Sequence, residues 1–263
     1  MPAMFEVTIL ASGSAGNATL IRGASSAFLV DAGLSAKQLT ARLQACGLSV
    51  PQLAGILLTH EHGDHTRSLK VLLAQHGVPV YCNALTARAL QDGGVVHQGW
   101  KLFQNGAAFA LGEFSIRPFS VPHDAADPVG FRISAHGVCF GVLTDLGHAT
   151  RLVLESLRGI RALLIETNYD DDLLQKDTKR PWSVKQRILS KHGHLSNASA
   201  AQVLSELDAP LEHIILGHLS RDCNSPQLAL DFIARSLAAA GRGQTARIHC
   251  AGQDESGPVF RII

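Results

Sequence analysis

Four metal-competent side chains fall within six residues, directly after an apolar run, and this segment constrains the chain more than any other. It reads Gly55-Ile-Leu-Leu-Thr-His60-Glu61-His62-Gly63-Asp64-His65. Neutral imidazole and carboxylate are the ligands that hold Zn, Mn or Fe. His60 and His62 stand two apart, so on an extended backbone they share one face. Asp64 and His65 follow Gly63, where the chain can turn, so they can point elsewhere. One loop can therefore serve two neighbouring metals. A polar surface loop would account for a single histidine, but not for this spacing at the end of a buried strand.

A metal site needs further ligands from elsewhere in the chain. Three later segments end an apolar run on a ligand-type residue: His123 in Ser120-Val-Pro-His-Asp, Asp145 in Gly141-Val-Leu-Thr-Asp, and His218 in Ile214-Ile-Leu-Gly-His. Alone, each reads as a capping Asp or a satisfied His. Together with the first loop they read as one site assembled at strand ends. Seven such residues are enough for two divalent ions and excessive for one. The 13 histidines of the chain, nearly as many as its 14 aromatic residues, matter because they cluster in this way.

At 46% hydrophobic and 17% charged, the 263 residues can bury a full core. Strands are expected at Phe5–Leu10, Ala18–Arg22, Ala27–Val30, Gly55–Thr59, Val78–Cys82 and Phe114–Val121. More follow at Val129–Ser134, Val138–Thr144, Ala162–Glu166, His213–Leu216, Ala246–Cys250 and Val259–Ile262. Helical spacing runs through Ala36–Cys46, Ser68–His76, Thr86–Gln91, Thr150–Leu157, Ser183–Lys191, Ala198–Leu207 and Pro226–Ala240. No linker separates them, so residues 1–263 read as one α/β domain. Its sheets would pack on each other with helices on both outer faces, although the same runs also fit a doubly wound sheet. The five cysteines are scattered without a CxxC pair, which suits reduced thiols. Met1–Ala11 lacks the basic start of a secretory signal, and no apolar run approaches 18 residues, so a cytoplasmic protein with no membrane partner is expected.

The order His60, His62, Asp64, His65, His123, Asp145, His218 resembles the signature of the metallo-β-lactamase superfamily, over residues 5 to 263. The resemblance implies an αββα four-layer sandwich with metals at one edge. It implies that His60, His62 and His123 hold a first metal, that Asp64, His65 and His218 hold a second, and that Asp145 bridges them. Asp31, in Phe28-Leu-Val-Asp-Ala-Gly33, matches an aspartate that supports the ligands from behind. Further blocks are similar to the YycJ/WalJ-type exonuclease branch. They are Leu10-Ala-Ser-Gly-Ser-Ala-Gly-Asn17, Glu166-Thr-Asn168, Gly193-His194-Leu-Ser-Asn197 and Gly217-His218-Leu-Ser-Arg-Asp-Cys-Asn224-Ser-Pro226. That branch is described as bacterial 5′-to-3′ exonucleases acting on DNA and linked to DNA repair. Only 73 positions separate Asp145 from His218, too few for the inserted domain of the β-CASP relatives.

Two metals about 3.5–4 Å apart would clamp a phosphoryl group and activate water, so no Ser or Cys nucleophile is needed. Asp64 belongs to the catalytic set, and His194 is the candidate proton donor to the leaving oxygen. Ser196 and Asn197, before a helix, are candidates for binding a phosphate oxygen, or simply a helix cap. Asn168 is a candidate for orienting substrate or Asp145. Residues 176–191 hold six Lys or Arg against one acid, a local charge of +5 in a chain of net +1. Lys185 and Arg187 are expected on a basic face that suits a phosphate backbone, with Ile188 and Leu189 turned inward. Trp182 reads first as a core residue and second as a base-stacking one. The Gly-rich start at Ser12–Asn17 is not a P-loop and reads as a tight turn bordering the metal edge.

The expectation is a metal-dependent phosphodiester hydrolase acting on DNA with two divalent ions of Zn, Mn or Fe. Two alternatives stand beside it: a small-molecule cyclic or alkyl phosphodiesterase of the PhnP type, and a metal-stabilised nucleic-acid-binding module without catalysis. Homodimerisation through a sheet edge or the basic helix is left open.

Overall fold

A computed structural model describes residues 5–241 and 246–263; residues 1–4 of the N-terminal stretch read above lie outside the described residues. The apolar runs form two seven-stranded sheets. The first comprises β1 (Phe5–Ala11), β2 (Ala18–Gly23), β3 (Ala27–Val30), β4 (Ile56–Leu57), β5 (Val80–Cys82), β6 (Trp100–Leu102) and β14 (Val259–Arg261), in the order β14-β1-β2-β3-β4-β5-β6. The second comprises β7 (Phe109–Leu111), β8 (Phe114–Ser120), β9 (Val129–Ala135), β10 (Val138–Leu143), β11 (Ala162–Glu166), β12 (His213–Gly217) and β13 (Arg247–Cys250), in the order β13-β12-β11-β10-β9-β8-β7.

The sheets face each other over a core rich in phenylalanine. Phe28 of the first sheet meets Phe114 of the second edge to face, with ring centroids 5.2 Å apart, and Phe131 and Phe140 lie in the same layer. Each sheet has a second apolar face, so each needs a helical cover. On the first, α1 (Ala36–Ala45), α3 (Leu69–His76) and α4 (Ala84–Asp92) bury Leu39, Leu43, Leu69, Leu72 and Leu90. On the second, α5 (Arg151–Ser156), α8 (Asn197–Glu206) and α9 (Pro226–Ala239) bury Val153, Leu204, Ile233 and Leu237. This is the αββα sandwich, and the face-to-face sheets exclude the doubly wound alternative. Three short helices, α2 (Gly63–Thr66), α6 (Asp171–Lys176) and α7 (Trp182–Ile188), sit in the connections.

Strand direction decides where the chemistry gathers. β3, β4, β5 and β6 run parallel, as do β10, β11, β12 and β13. Asp31 follows β3, Asp145 follows β10, Glu166 ends β11 and His218 follows β12. Asp31, Asp145 and His218 adopt the left-handed conformation, with φ of 63°, 55° and 55°. Non-glycine residues rarely do so, and strain of this kind concentrates where side-chain aim matters.

Candidate metal centre

The loop after β4 supplies His60, His62, Asp64 and His65, with Asp64 and His65 on α2. Ligand-type atoms of His60, His62 and His123 lie within 4.8 Å of one another. The same holds for Asp64, His65 and His218, and for His60, His65 and Asp145. Asp145 lies between the two groups: its Oδ2 is 3.0 Å from His65 Nε2 and its Oδ1 is 3.9 Å from His123 Nε2. The buried Nε2 atoms of His60 and His123 make no hydrogen bond. Buried polar atoms are nearly always partnered, so these nitrogens fit a cation.

Neighbouring groups fix which nitrogen of each imidazole faces the centre. His65 Nδ1 donates to Asp31 Oδ2 at 2.8 Å, and Asp31 is held by the Thr59 amide at 2.9 Å. His123 Nδ1 donates to the Gly193 carbonyl at 3.0 Å. Each such bond turns Nε2 toward the centre and stiffens the ring; His65 Nε2 there also meets the Asn17 side-chain amide at 3.0 Å. The turn at Ser12–Asn17 borders this edge. Asn17 N–H donates to the Asp64 carbonyl at 2.7 Å, and the His218 amide donates to Ser12 Oγ at 2.8 Å. Gly33 also packs here: a Cβ on it would lie 1.6 Å from the Asp64 carbonyl oxygen, so only glycine permits that approach.

One central residue carries no role in the sequence reading. Glu166 is fully buried and accepts from His194 Nδ1 at 2.7 Å and His218 Nδ1 at 2.8 Å. It also accepts from the amides of Leu146 and Leu195, both at 3.1 Å. His194 thus sits beside the ligand groups, its ring centroid 5.2 Å from that of His123 and 5.3 Å from that of His218.

Burial, and then the neighbouring His65, hold His60 well below the usual imidazole range; burial likewise lowers His123. Both are therefore neutral, the form that binds a cation. Burial opposes charge on His65, but Asp31 and Asp145 outweigh it and raise its pKa well above the ordinary value. Burial also opposes charge on His194, and the Glu166 carboxylate overcomes it, so its pKa is raised. Asp145 is pushed well below the carboxylate range, because His218 and His65 outweigh its burial.

Several residues expected at the substrate surface lie elsewhere. Lys185 is 7% exposed and its Nζ donates to the Gln175 carbonyl at 2.9 Å, so it ties α7 to α6 rather than facing a phosphate. Ser196 is buried and caps α8 by accepting from the Ser199 amide. Asn197 is buried against Asn224, with amide bonds of 3.2 and 2.9 Å. Asn168 donates to the His218 carbonyl at 2.9 Å and so steadies a ligand loop instead of a substrate. Arg187 is exposed and bound to Asp124, the neighbour of His123. Lys179 pairs with Asp222, and Arg180 with Asp177 and Asp222, so much of the +5 charge is offset by nearby acids. Leu189 is 50% exposed, not inward, and Trp182 is 64% exposed, which overturns its reading as a core residue.

Comparison with known proteins agrees with this fold. The family described as beta-lactamase superfamily domain matches residues 27–218. An exodeoxyribonuclease YycJ of Bacillus anthracis is 34% identical over 239 residues, 90% of each chain. An exodeoxyribonuclease WalJ of Streptococcus pneumoniae is 34% identical over a 265-residue alignment, 98% of each chain. The metallo-beta-lactamase fold protein YhfI from Bacillus subtilis superposes with a TM-score of 0.75 at 17% identity, over 98% of this chain and 99% of that one. The last likeness is one of fold.

Proposed function

The chain belongs to the beta-lactamase superfamily domain family, and from that premise we propose that it is a metal-dependent exodeoxyribonuclease. The observation that carries the reading is the convergence of seven ligand-type side chains on one edge of the sandwich, in a chain similar over its length to exodeoxyribonucleases. His60, His62 and His123 would hold one divalent ion, Asp64, His65 and His218 a second, and Asp145 both. Two such ions, when bound, supply Lewis-acid activation of water and neutralise charge on a phosphoryl group. Zinc, manganese and iron all suit this mixture of imidazole and carboxylate.

The protein's own groups would do the rest. Asp31 keeps a proton on His65 Nδ1, so that Nε2 carries the free lone pair. Glu166 holds His194 through Nδ1, which leaves Nε2 to pass a proton to the leaving oxygen. Arg187, exposed beside Asp124, meets the phosphate backbone at the rim. Among the described residues no helix is long and apolar enough to cross a membrane. A single domain acting in the cytoplasm on DNA, in repair, completes the proposal.

The test uses end-labelled DNA carrying a 5′-phosphate, with Mn or Zn. Wild-type protein should shorten it from an end, and Asp64→Ala should lose at least about 10²-fold in kcat, as expected when a metal is lost or misplaced. Intact DNA with wild type and variant alike, alongside cleavage of small cyclic phosphodiesters, would instead favour the small-molecule phosphodiesterase.

A further inference from the structure

We propose that the turn Ser12–Asn17 sets the affinity of the second ion, with Ser12 and Asn17 as its positioning residues. The inference rests on the two-ion reading and concerns side chains that ligate neither ion. The contacts of this turn are selective. The Asn17 amide donates to the Asp64 carbonyl at 2.7 Å, and Asn17 Nδ2 lies 3.0 Å from His65 Nε2. Ser12 Oγ accepts from the His218 amide at 2.8 Å. Asp64, His65 and His218 are the three residues assigned to the second ion alone. Among the described residues, no hydrogen bond joins this turn to His60, His62 or His123, whose side-chain bonds go to Thr59 and Gly193.

The second-ion ligands need outside support. Asp64 and His65 sit on α2, whose four residues make one turn, too short to hold as a helix by itself. His218 has a left-handed backbone, φ 55°, which a non-glycine residue keeps only when its surroundings impose it. The turn supports both from one rigid piece. Its Gly13 and Gly16 have φ of 149° and 153°, which L side chains rarely adopt. Ser12 and Asn17 are buried. Asn17 Oδ1 accepts from the Gly13 amide at 2.9 Å, while Nδ2 donates to the Gly13 carbonyl at 3.2 Å. These bonds fix the side-chain amide, its oxygen toward the turn and its nitrogen toward the ligands. Three more bonds anchor the turn: the Gly33 amide to the Asn17 carbonyl at 2.8 Å, the Ser12 amide to the Gly252 carbonyl at 3.0 Å, and Arg67 Nη1 to the Ala15 carbonyl at 2.8 Å. When the His65 lone pair faces a cation, Asp64 Oδ2 at 3.5 Å remains an acceptor for Asn17 Nδ2. Loss of either side chain therefore loosens the second set of ligands and leaves the first as it is.

The test titrates Mn into the metal-free, full-length chain by calorimetry. Wild type should bind two ions. Asn17→Ala and Ser12→Ala should each bind the first as wild type does and the second about 10–100-fold more weakly. Ile233→Val, in the core under α9, should lower Tm and leave both affinities unchanged, which separates positioning from a general loss of stability. Added to His218→Ala, Asn17→Ala should not change the affinity of the ion that remains; added to His62→Ala, it should weaken that ion. Equal affinities in wild type, Asn17→Ala and Ser12→Ala would overturn the inference. So would equal weakening of both ions. Wild-type protein that binds a single ion would overturn the two-ion reading and this inference with it. Two ions bound, the second weakened in both variants, and DNA left intact by wild type would defeat the nuclease reading alone and leave this one standing.

Discussion

At the residue scale the centre depends on a carboxylate that touches no solvent. Glu166 accepts four hydrogen bonds, two from backbone amides and two from imidazoles. A glutamine of the same shape keeps one acceptor oxygen and turns an NH2 toward at least one of those donors. Glu166→Gln should therefore lower stability by about 1–3 kcal/mol, read as a fall in Tm. It should also cut kcat on DNA by about 10–100-fold through misplaced His194 and His218. An unchanged Tm and rate would mean that the carboxylate is dispensable. His60 to His65 are legible in sequence because their ligand types crowd one loop. Glu166 is not: its partners stand 28 and 52 positions away, and an acid closing an apolar strand looks like any capped strand end. The block Glu166-Thr-Asn168 was visible, but only the fold gives it work.

At the scale of elements, strong patterns are read correctly and weak ones are lost. Sheet strands and the longer helices follow the apolar periodicity to within a few residues. β6 and β7 escape because they are three residues each with no buried alternation. α2 escapes because its four residues are chosen for ligation and not for helicity. α7 shows how charge misleads. Spacing places Lys185 and Arg187 on one basic face, but in a seven-residue helix the two point apart, Lys185 toward the Gln175 carbonyl and Arg187 toward Asp124. Lys185→Met should accordingly destabilise the fold by about 1 kcal/mol, because the charge-assisted bond from Lys185 Nζ to the Gln175 carbonyl, which ties α7 to α6, is lost. KM for DNA and its salt dependence should be unchanged. A reduced salt slope for Lys185→Met would return this residue to the phosphate path.

At the scale of the whole molecule, packing in the sandwich disfavours the thiolate form of Cys82 and Cys250. Burial pushes Cys82 up to about 12 and Cys250 up to about 11, from an ordinary 9.0. A raised thiol pKa means that the folded state keeps a proton that the unfolded state releases. The associated stability is present below about pH 9 and fades as pH climbs toward 12. Alkylation at pH 8 should leave Cys82 unmodified in the folded protein and modify it quickly in urea. Rapid labelling of Cys82 under native conditions would contradict the packing of the first sheet. The fold itself was largely legible, because two apolar faces per sheet demand two helical layers, whereas the meeting of four separate loops, those of His60–His65, His123, Asp145 and His218, at one edge follows from strand direction. That meeting is the central claim, and metal content tests it most directly. Elemental analysis of the reconstituted chain should find two divalent ions, falling to about one in His218→Ala together with loss of DNA degradation. Full activity in wild-type protein stripped of metal, or no more than one ion bound under saturating conditions, would contradict it.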